Sequence, residues 1–470
     1  MVASEAAPFA KTGGLADVLG ALPQALQARG EEVAVVLPRY GRIRLDGARR
    51  VFNDLRIWLG PACWRADLHR IDDRGVPVYL VDCPALYDRE TLYGPGGADY
   101  PDNHVRFAVL ARAALAVVRR LFRPEIVHCH DWQASLVPVY MRHLLAGDPT
   151  FYGIRTLLTI HNLGYPGLFP PEILPEIGLD DSLFTPGVLE FWGQVSLLKG
   201  GIVTADRLNT VSRRYAREIQ TEEFGFGMDG LLRARADVLT GILNGVDYAE
   251  WSPETDPHIA ARYSAADLSG KLQCKRDLLA EFGLPADDLS RPVIGIVSRF
   301  TVQKGFDLIS EVAREIAHED VDLVALGTGD AAYEELFRDL AAAFPGRIAV
   351  RIAYDNRLAH KIEAGADMFL MPSRYEPCGL NQIYSLRYGA VPIVRATGGL
   401  DDTIDEGTGF KFREYTGSAL MGAIRDALSM WRSPEVWRET MLRGMARDFS
   451  WNASAAEYAA LYRRMLEDRP

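Results

Sequence analysis

The stretch Val293–Asp330, VIGIVSRFTVQKGFDLISEVAREIAHEDVDLVALGTGD, indicates the fold class most clearly. It begins with an apolar run that predicts a buried strand and continues through a loop that carries Arg299 and Lys304. An amphipathic helix pattern follows, and a second apolar run ends the stretch. A strand, a helix and a strand in this order form a parallel βαβ unit. The segment therefore predicts an α/β domain.

The same alternation extends over almost the whole chain and predicts two doubly wound, Rossmann-like parallel-sheet domains facing a central cleft. Further strands are predicted at EVAVVLPR, VPVYLVDC, EIVHCHD, RTLLTIHN, RLNTVS, RIAVRIAYD, DMFLMPSR and AVPIVRAT. A turn-rich seam at Gly241–Pro257 separates the domains. We expect an N-terminal domain at 1–243, a C-terminal domain at 244–449, and a C-terminal helix at 450–470 that packs back across the seam.

Composition and charge exclude several classes of protein. The chain has 470 residues, of which 48% are hydrophobic and 24% charged, as in an ordinary globular protein. Its net charge of −11 argues against a nucleic-acid partner, because that affinity depends on a basic surface. The five cysteines are scattered without a CxxC pair, and no apolar run is long enough to span a membrane. We expect a cytoplasmic protein.

Two junctions place cations where a helix begins. In FAKTGGLAD, Lys11 lies beside Gly13 and Gly14 just before an amphipathic helix, and Arg299 and Lys304 lie at the second junction. A lysine at a helix start opposes the helix dipole unless an anion is also present. We therefore expect a phosphate ligand. A glycine turn with a solvated lysine is the alternative.

A third junction combines an acidic residue with a predicted helix start. The segment MPSRYEPCGLNQIYSLRYG predicts a strand that ends at Ser373, a loop with Glu376, and a helix that opens at Cys378, Gly379 and Leu380. Free amides at such a start suit an oxyanion, whereas Glu376 would accept hydrogen bonds from uncharged hydroxyls. A sugar attached to a diphosphate meets both demands. The alternatives are a helix-capping role for Glu376 and a packing or nucleophilic role for Cys378.

Two further motifs suggest other chemistry. The histidines of HCHD would lie on one face of a strand, but no further ligand cluster supports a metal. GTGDAA resembles the dinucleotide fingerprint and supports an NAD-dependent oxidoreductase as the alternative function. No acidic residue ends a following strand at the expected distance, since Asp355 comes later and follows Tyr354. A catalytically silent protein that only binds its ligand is a third possibility.

Several ordered motifs together resemble the bacterial glycogen synthases and plant starch synthases. They are KTGGLADVLGALP, LLTIHNLGYPG, GILNGVDYAEW, SRFTVQKGFDL, LGTGD, SRYEPCGLNQIYSLRYG and ATGGLDDT. The resemblance implies a GT-B glycosyltransferase that moves glucose from ADP-glucose to the non-reducing end of an α-1,4-glucan. It also implies retention at the anomeric carbon, release of ADP, and no metal or separate cofactor. The implied partners are ADP-glucose and a glycogen or maltooligosaccharide acceptor, without nucleic acid or membrane.

The resemblance also implies roles for individual residues. Lys11 would contact the donor phosphates, Arg299 and Lys304 the distal phosphate, and Glu376 the sugar hydroxyls. His161 would lie beside the donor glucose, and Asp131 near the reacting centre. The substrate-binding candidates are Gly14, Asp17, Asn162, Asn244, Tyr354 (against adenine), Cys378, Gly379, Leu380 and Asn381. Asn381 replaces a threonine of some members, and the first strand, with only Met1 before Val2, is expected to be short or to start upstream.

Overall fold

The chain passes through two units that each contain parallel strands. The computed structural model describes residues 1–95 and 98–467. Unit 1 contains Met1–Val211, Ala216–Gly245 and the segment from Trp451 onward, and unit 2 contains Ser212–Tyr215 and Val246–Ser450. Of the expected C-terminal segment 450–470, residues 468–470 lie outside the described residues.

Unit 1 contains two four-stranded sheets and a small three-stranded sheet. One sheet has the order β1-β4-β3-β2, the second β11-β10-β6-β5, and the small one β7-β9-β8. The strands are β1 (Val35–Pro38), β2 (Arg49–Leu59), β3 (Ala62–Asp73), β4 (Val76–Asp82), β5 (Ile126–His130), β6 (Arg155–Ile160), β7 (Leu168–Phe169), β8 (Glu190–Phe191), β9 (Gln194–Ser196), β10 (Arg207–Thr210) and β11 (Leu239–Gly241).

A single residue near the start of the chain links the two larger sheets. Val2 forms parallel bridges to Val36 of β1 and to Cys129 of β5. Its amide donates to the carbonyl of His128 at 2.8 Å, and its carbonyl accepts from the amide of His130 at 3.1 Å. The expected first strand is thus reduced to a bridge, which places Glu5 directly beyond the joined sheets.

The expectation of parallel sheets is wrong for β2 and β3, whereas β4 pairs parallel with β1 and antiparallel with β3. Strands β2 and β3 pair antiparallel, with a register irregularity between Phe52 and Leu55. Buried Leu55, Ile57 and Leu59 of β2 alternate with exposed residues, the pattern of a sheet with one solvated face. The antiparallel pairs therefore extend the parallel part of the sheet as its outer portion.

The helices of unit 1 surround these sheets, and the last of them packs on the first. They are α1 (Gly14–Gln27), α2 (Pro84–Tyr87), α3 (Asn103–Arg120), α4 (Asp131–Ala134), α5 (Leu136–His143), α6 (Leu197–Thr204), α7 (Arg213–Glu218, which starts in unit 2), α8 (Asp229–Ala234) and, at the end of the chain, α17 (Trp451–Glu467). Tyr462 of α17 shares a 2.8 Å hydrogen bond with His128 Nδ1.

Unit 2 is built on one six-stranded, fully parallel sheet. Its strands are β12 (Val293–Val297), β13 (Asp322–Gly327), β14 (Ile348–Ile352), β15 (Met368–Met371), β16 (Val391–Arg395) and β17 (Phe410–Phe412). Their spatial order is β14-β13-β12-β15-β16-β17, and every neighbouring pair is parallel. The order reverses direction between β12 and β15. Ligands of open α/β sheets bind beyond the carboxyl ends of the strands at such a switch point.

Helices cover both faces of this sheet. They are α9 (Ser269–Glu281), α10 (Phe306–His318), α11 (Ala331–Ala343), α12 (Asn356–Gly365), α13 (Asn381–Tyr388), α14 (Gly398–Thr403), α15 (Gly417–Trp431) and α16 (Pro434–Met445). Alternate residues of β12 enter different cores: Ile294 and Ile296 pack in one cluster, and Val293 packs in the other. This alternation confirms the predicted doubly wound arrangement for unit 2.

The prediction that a helix opens at Cys378 is wrong by three residues. Helix α13 begins at Asn381, and Leu380 is its N-cap. Gly379 has a positive φ of 71°, so the chain makes a tight turn here before it enters the helix. In the part of the chain that the structure describes, no helix combines the length and the apolar character needed to cross a bilayer.

Candidate active site

In unit 1 a buried carboxylate organises the loop that carries Lys11. Glu5 Oε2 accepts hydrogen bonds from the amides of Thr12 (2.5 Å) and Gly13 (3.3 Å), and Oε1 accepts from the Thr12 hydroxyl at 2.7 Å. The hydroxyl of Tyr93 donates to Oε1 as well, at 2.5 Å. Glu5 thereby fixes the backbone immediately before α1 begins. Glu5 was not among the predicted site residues, although its place just after the first strand was a signal in the sequence.

Lys11 and Asp17 form an ion pair at the start of α1. The ammonium lies 2.6 Å from Asp17 Oδ1, and both side chains are partly exposed. Burial raises the pKa of the Asp17 carboxyl, and the adjacent ammonium opposes this shift. A ligand phosphate at Lys11 would therefore compete with the Asp17 carboxylate.

The two glycines of this loop face open space. A Cβ atom built on Gly13 or Gly14 meets no protein atom within 4 Å, and neither residue has a positive φ. The packing of unit 1 does not require glycine at these positions. Close approach of a ligand to the backbone would explain both residues.

Asp131 holds the turn that follows β6. It begins α4 with a φ of 56°, an uncommon conformation for a residue with a side chain. Its Oδ1 accepts a hydrogen bond from the His161 amide at 2.7 Å, and the amide of Asn162 also donates to the carboxylate. Burial nevertheless dominates and raises the pKa of Asp131 to about 7. The structure thus brings together three residues that the sequence predicted for the site.

His161 belongs to a stack of three histidines. His161 Nε2 and His130 Nδ1 share a 3.0 Å hydrogen bond, and the rings of His130 and His128 lie 4.1 Å apart between centroids. Burial lowers the pKa of His161 to about 3 and that of His130 well below its usual range. Both imidazoles are therefore neutral near pH 7. The HCHD motif suggested a metal only weakly and gave His130 no other role, whereas its contact with His161 makes it a candidate positioning residue.

Asn244 lies in unit 1 beyond β11 and is buried. Its Oδ1 atom has no hydrogen-bond partner among the described residues. A buried acceptor without a partner is uncommon and calls for an explanation, which a ligand hydroxyl would supply. This observation favours the predicted substrate contact at Asn244.

In unit 2 an ion pair lies at the switch point between β12 and β15. Lys304 Nζ is 2.5 Å from Glu376 Oε2, and the Ser373 hydroxyl donates to the same oxygen at 3.1 Å. Glu376 is buried, and Lys304 is mostly so. The structure therefore joins two predicted site residues that lie 72 positions apart. The alternative that Glu376 caps α13 has no support, since no side chain caps that helix.

Glycines of the TGGLDDT segment pack tightly behind this pair. A Cβ on Gly398 would lie 1.8 Å from the carbonyl oxygen of Glu376, and a Cβ on Gly399 would lie 2.0 Å from that of Cys378. Gly398 also has a positive φ of 45°. The Gly399 amide donates to the Glu376 carbonyl at 3.1 Å. These glycines, for which the sequence analysis gave no role, hold the backbone of Glu376.

The remaining predicted residues of unit 2 lie at the same carboxyl ends of the strands. Arg299 follows β12 and is exposed, with its guanidinium 3.2 Å from Gln303 Oε1. Asn381 Nδ2 donates to the carbonyl of Val297 at 2.7 Å, which ties the start of α13 to the end of β12. Tyr354 follows β14, and 85% of its surface is exposed. Cys378 is buried.

The glycines of GTGDAA have a packing explanation. A Cβ on Gly327 would lie 1.8 Å from the carbonyl oxygen of Ser298, and one on Gly329 would lie 2.2 Å from that of Phe300. Asp355 Oδ1 accepts from the Leu358 amide at 2.9 Å and caps α12. The fingerprint-like pattern therefore reflects close contact with the loop after β12.

Comparisons with known proteins identify the family. A family model described as the starch synthase catalytic domain matches residues 1–234, and one described as glycosyl transferases group 1 matches residues 285–442. A glycogen synthase from Koribacter versatilis is 54% identical over 99% of this chain and 98% of its own length. The chain belongs to the glycogen synthase family. A glycogen synthase from Anaeromyxobacter dehalogenans is 51% identical over 100% of this chain and 99% of its own length.

A solved structure extends the likeness to three dimensions. The catalytic domain of starch synthase IV from Arabidopsis thaliana, bound to ADP and acarbose, matches with a TM-score of 0.89 and 32% identity. The match covers 99% of this chain and 98% of the other. The predicted family, GT-B fold class and hexosyltransferase activity of this glycogen synthase family member are confirmed.

Replacing Gly398 by alanine tests the packing behind Glu376. The new methyl would collide with the Glu376 carbonyl and would strain the positive φ, so we expect at least about 2 kcal/mol lower unfolding free energy and lost transferase activity. Gly422→Ala in α15 is the control, because its Cβ meets nothing within 4 Å. Denaturant titration measures the unfolding free energy of each variant, and a transferase assay measures its activity. Equal behaviour of the two variants would contradict the packing account.

The pH dependence of unfolding tests the state of Asp131. A carboxyl with an unfolded pKa near 3.8 and a folded pKa of about 7 binds more protons in the folded state between these values. Stability contributed at this position therefore falls as pH rises through that window. Asp131→Asn keeps the acceptor for the His161 amide and tolerates the positive φ. The melting temperature of the variant minus that of wild type should increase from pH 4 to pH 7. A difference that stays constant over this range would contradict the raised pKa.

Proposed function

We propose that the chain transfers glucose from ADP-glucose to the non-reducing end of an α-1,4-glucan, with retention at the anomeric carbon and release of ADP. Named relatives are glycogen synthases, and the similar starch synthase IV structure contains ADP and acarbose. The observation that carries the proposal is the Lys304–Glu376 pair at the switch point of unit 2. It places a cation and a hydroxyl acceptor side by side.

Breaking the bond between glucose and the diphosphate places roughly one further negative charge on the leaving group. A cation ~4 Å away interacts with that charge by about 4 kcal/mol at an effective dielectric constant of ~20. Only the part gained between ground state and transition state increases the rate. We assign this neutralisation to Lys304 and Arg299, and the phosphate contact of Lys11 stays a prediction.

Glu376 has two roles in this proposal. Its carboxylate holds the Lys304 ammonium, and its remaining acceptor capacity suits hydroxyl groups of the donor glucose. A carboxylate would repel the phosphates, so it selects the sugar side of the donor. The amides at Gly379, Leu380 and Asn381 are the proposed phosphate and sugar contacts, and Tyr354 offers an exposed ring for adenine.

His161 and Asp131 of unit 1 have hydrogen-bonding and positioning roles in this proposal. With its pKa lowered to about 3, the His161 imidazole contributes hydrogen bonds rather than charge near the donor glucose. Asp131 positions His161 and Asn162 through their amides. The leaving phosphate itself can accept the proton of the acceptor hydroxyl, so no dedicated base is required. We propose no metal and no separate cofactor, because the nucleotide sugar is a substrate.

A donor competition assay tests the proposed reaction. Purified protein with glycogen and equimolar ADP-glucose and UDP-glucose should release mainly ADP, and release should depend on glycogen. Proton NMR of the extended chains should show new α-1,4 linkages. UDP as the main product, release without glycogen, or β linkages would each contradict the proposal.

The expected cytoplasmic location stays a prediction.

Lys304→Ala tests the assignment of the leaving-group cation. If the ammonium gains ~3 kcal/mol in the transition state, the variant loses roughly a hundredfold in kcat at saturating ADP-glucose. Lys361→Ala is the matched control in unit 2, because Lys361 also forms a close ion pair, at 2.7 Å from Glu281. Its kcat should stay near that of wild type. A raised KM with unchanged kcat in Lys304→Ala would indicate uniform binding instead.

A further inference from the structure

An unusual hairpin turn in unit 1 exposes a tryptophan. Strands β8 and β9 are joined by Trp192 and Gly193, which have φ values of 52° and 78°. Two-residue turns of this kind favour Asn-Gly, and a bulky residue at positive φ is a genuine outlier. Trp192 is also 82% exposed. A tryptophan here has an unfavourable backbone conformation and buries little surface, so it does not stabilise the fold. This combination indicates a functional reason for the residue.

A second turn repeats the arrangement beside the first. Phe226 and Gly227 in GFG have φ values of 49° and 80°, and Phe226 is also exposed. Five described residues other than glycine have a positive φ, and these two are the only aromatics among them. Two separate segments thus present an aromatic residue in the same strained conformation.

The two turns meet. A Cβ on Gly227 would lie 3.1 Å from the indole nitrogen of Trp192 and 3.3 Å from Cζ of Phe191. The rings of Phe191 and Trp192 are edge to face, with centroids 6.4 Å apart. A side chain at residue 227 would be in tight contact with Trp192, and the positive φ of Gly227 also favours glycine there. We call Phe191, Trp192 and Phe226 the aromatic platform.

We propose that the aromatic platform is a binding surface for an α-1,4-glucan chain, which deepens the proposed function. The C–H face of a glucose ring is apolar and slightly positive, and it packs on the negative face of an aromatic ring. Exposed apolar patches of this kind mark binding surfaces. The ligand class is that of the acceptor proposed above, and this part of the inference rests on that proposed function.

The charges around the platform favour an uncharged ligand that carries hydroxyl groups. Glu190 precedes it in the hairpin, where its carboxylate accepts from the Gly193 amide and the Lys199 ammonium donates to its carbonyl. The exposed Glu222 and Glu223 precede Phe226 in the sequence, so acidic residues outnumber this one cation. The whole chain carries a net charge of −11. Carboxylates accept hydrogen bonds from sugar hydroxyls, whereas they repel nucleic acids and anionic membranes.

Glycogen binding without donor tests the platform. Trp192→Asn removes the indole and supplies the residue that this turn favours, so the hairpin should be retained or stabilised. We expect its dissociation constant for glycogen, from affinity electrophoresis, to rise about tenfold, as on truncation of an aromatic hot spot. Trp58→Ala, which removes another exposed tryptophan of unit 1, should bind like wild type.

The outcomes separate this inference from the proposed function. Wild-type affinity for glycogen in a folded Trp192→Asn variant overturns the platform, even if ADP-glucose is a good donor. Weaker glycogen binding with unchanged kcat and KM for ADP-glucose at saturating maltotriose supports it. A change from dimer to monomer with unchanged glycogen affinity would assign the platform to a second copy of this chain and also overturn the inference.

Discussion

The ion pair between Lys304 and Glu376 is the contact on which the proposed chemistry of unit 2 depends. It joins the loop after β12 to the loop after β15, where the order of the sheet reverses. Removing either partner would leave the other charge in a largely buried place, which is strongly destabilising. The tight packing of Gly398 against the Glu376 backbone fixes the carboxylate further. The same contacts therefore serve both stability and catalysis.

Unit 1 uses buried carboxylates differently, as acceptors for backbone amides. Glu5 holds the amides before α1, and Asp131 holds those after β6. Glu5 follows Val2 in the chain, and Asp131 follows Cys129 of β5, which is a bridge partner of Val2. The joined sheets therefore determine where these two carboxylates lie. Loops held in this way need little rearrangement to present Lys11 and His161 to a ligand. Such preorganisation is what electrostatic catalysis requires.

The sequence predicted the doubly wound fold well because buried parallel strands are continuous apolar runs, as in β12 and β15. It missed the antiparallel β2 and β3, whose alternating pattern is weaker and interrupted by a register irregularity. Pairing of Lys304 with Glu376 was beyond sequence reasoning, since they lie 72 residues apart and meet only through the sheet order. The sequence did not indicate roles for Glu5, His130 or Gly398, because each of them acts only by positioning another residue.

In the proposed reaction, Lys304 and Arg299 neutralise the departing diphosphate while Glu376 faces the sugar. A crystal structure of the wild-type protein with ADP and glucose bound tests this most directly. We expect Lys304 Nζ and the Arg299 guanidinium to lie about 3 Å from oxygens of the distal phosphate. We also expect a Glu376 oxygen to accept a hydrogen bond from a glucose hydroxyl. Phosphates bound away from both cations, or a Glu376 side chain turned away from the sugar, would rule out these roles.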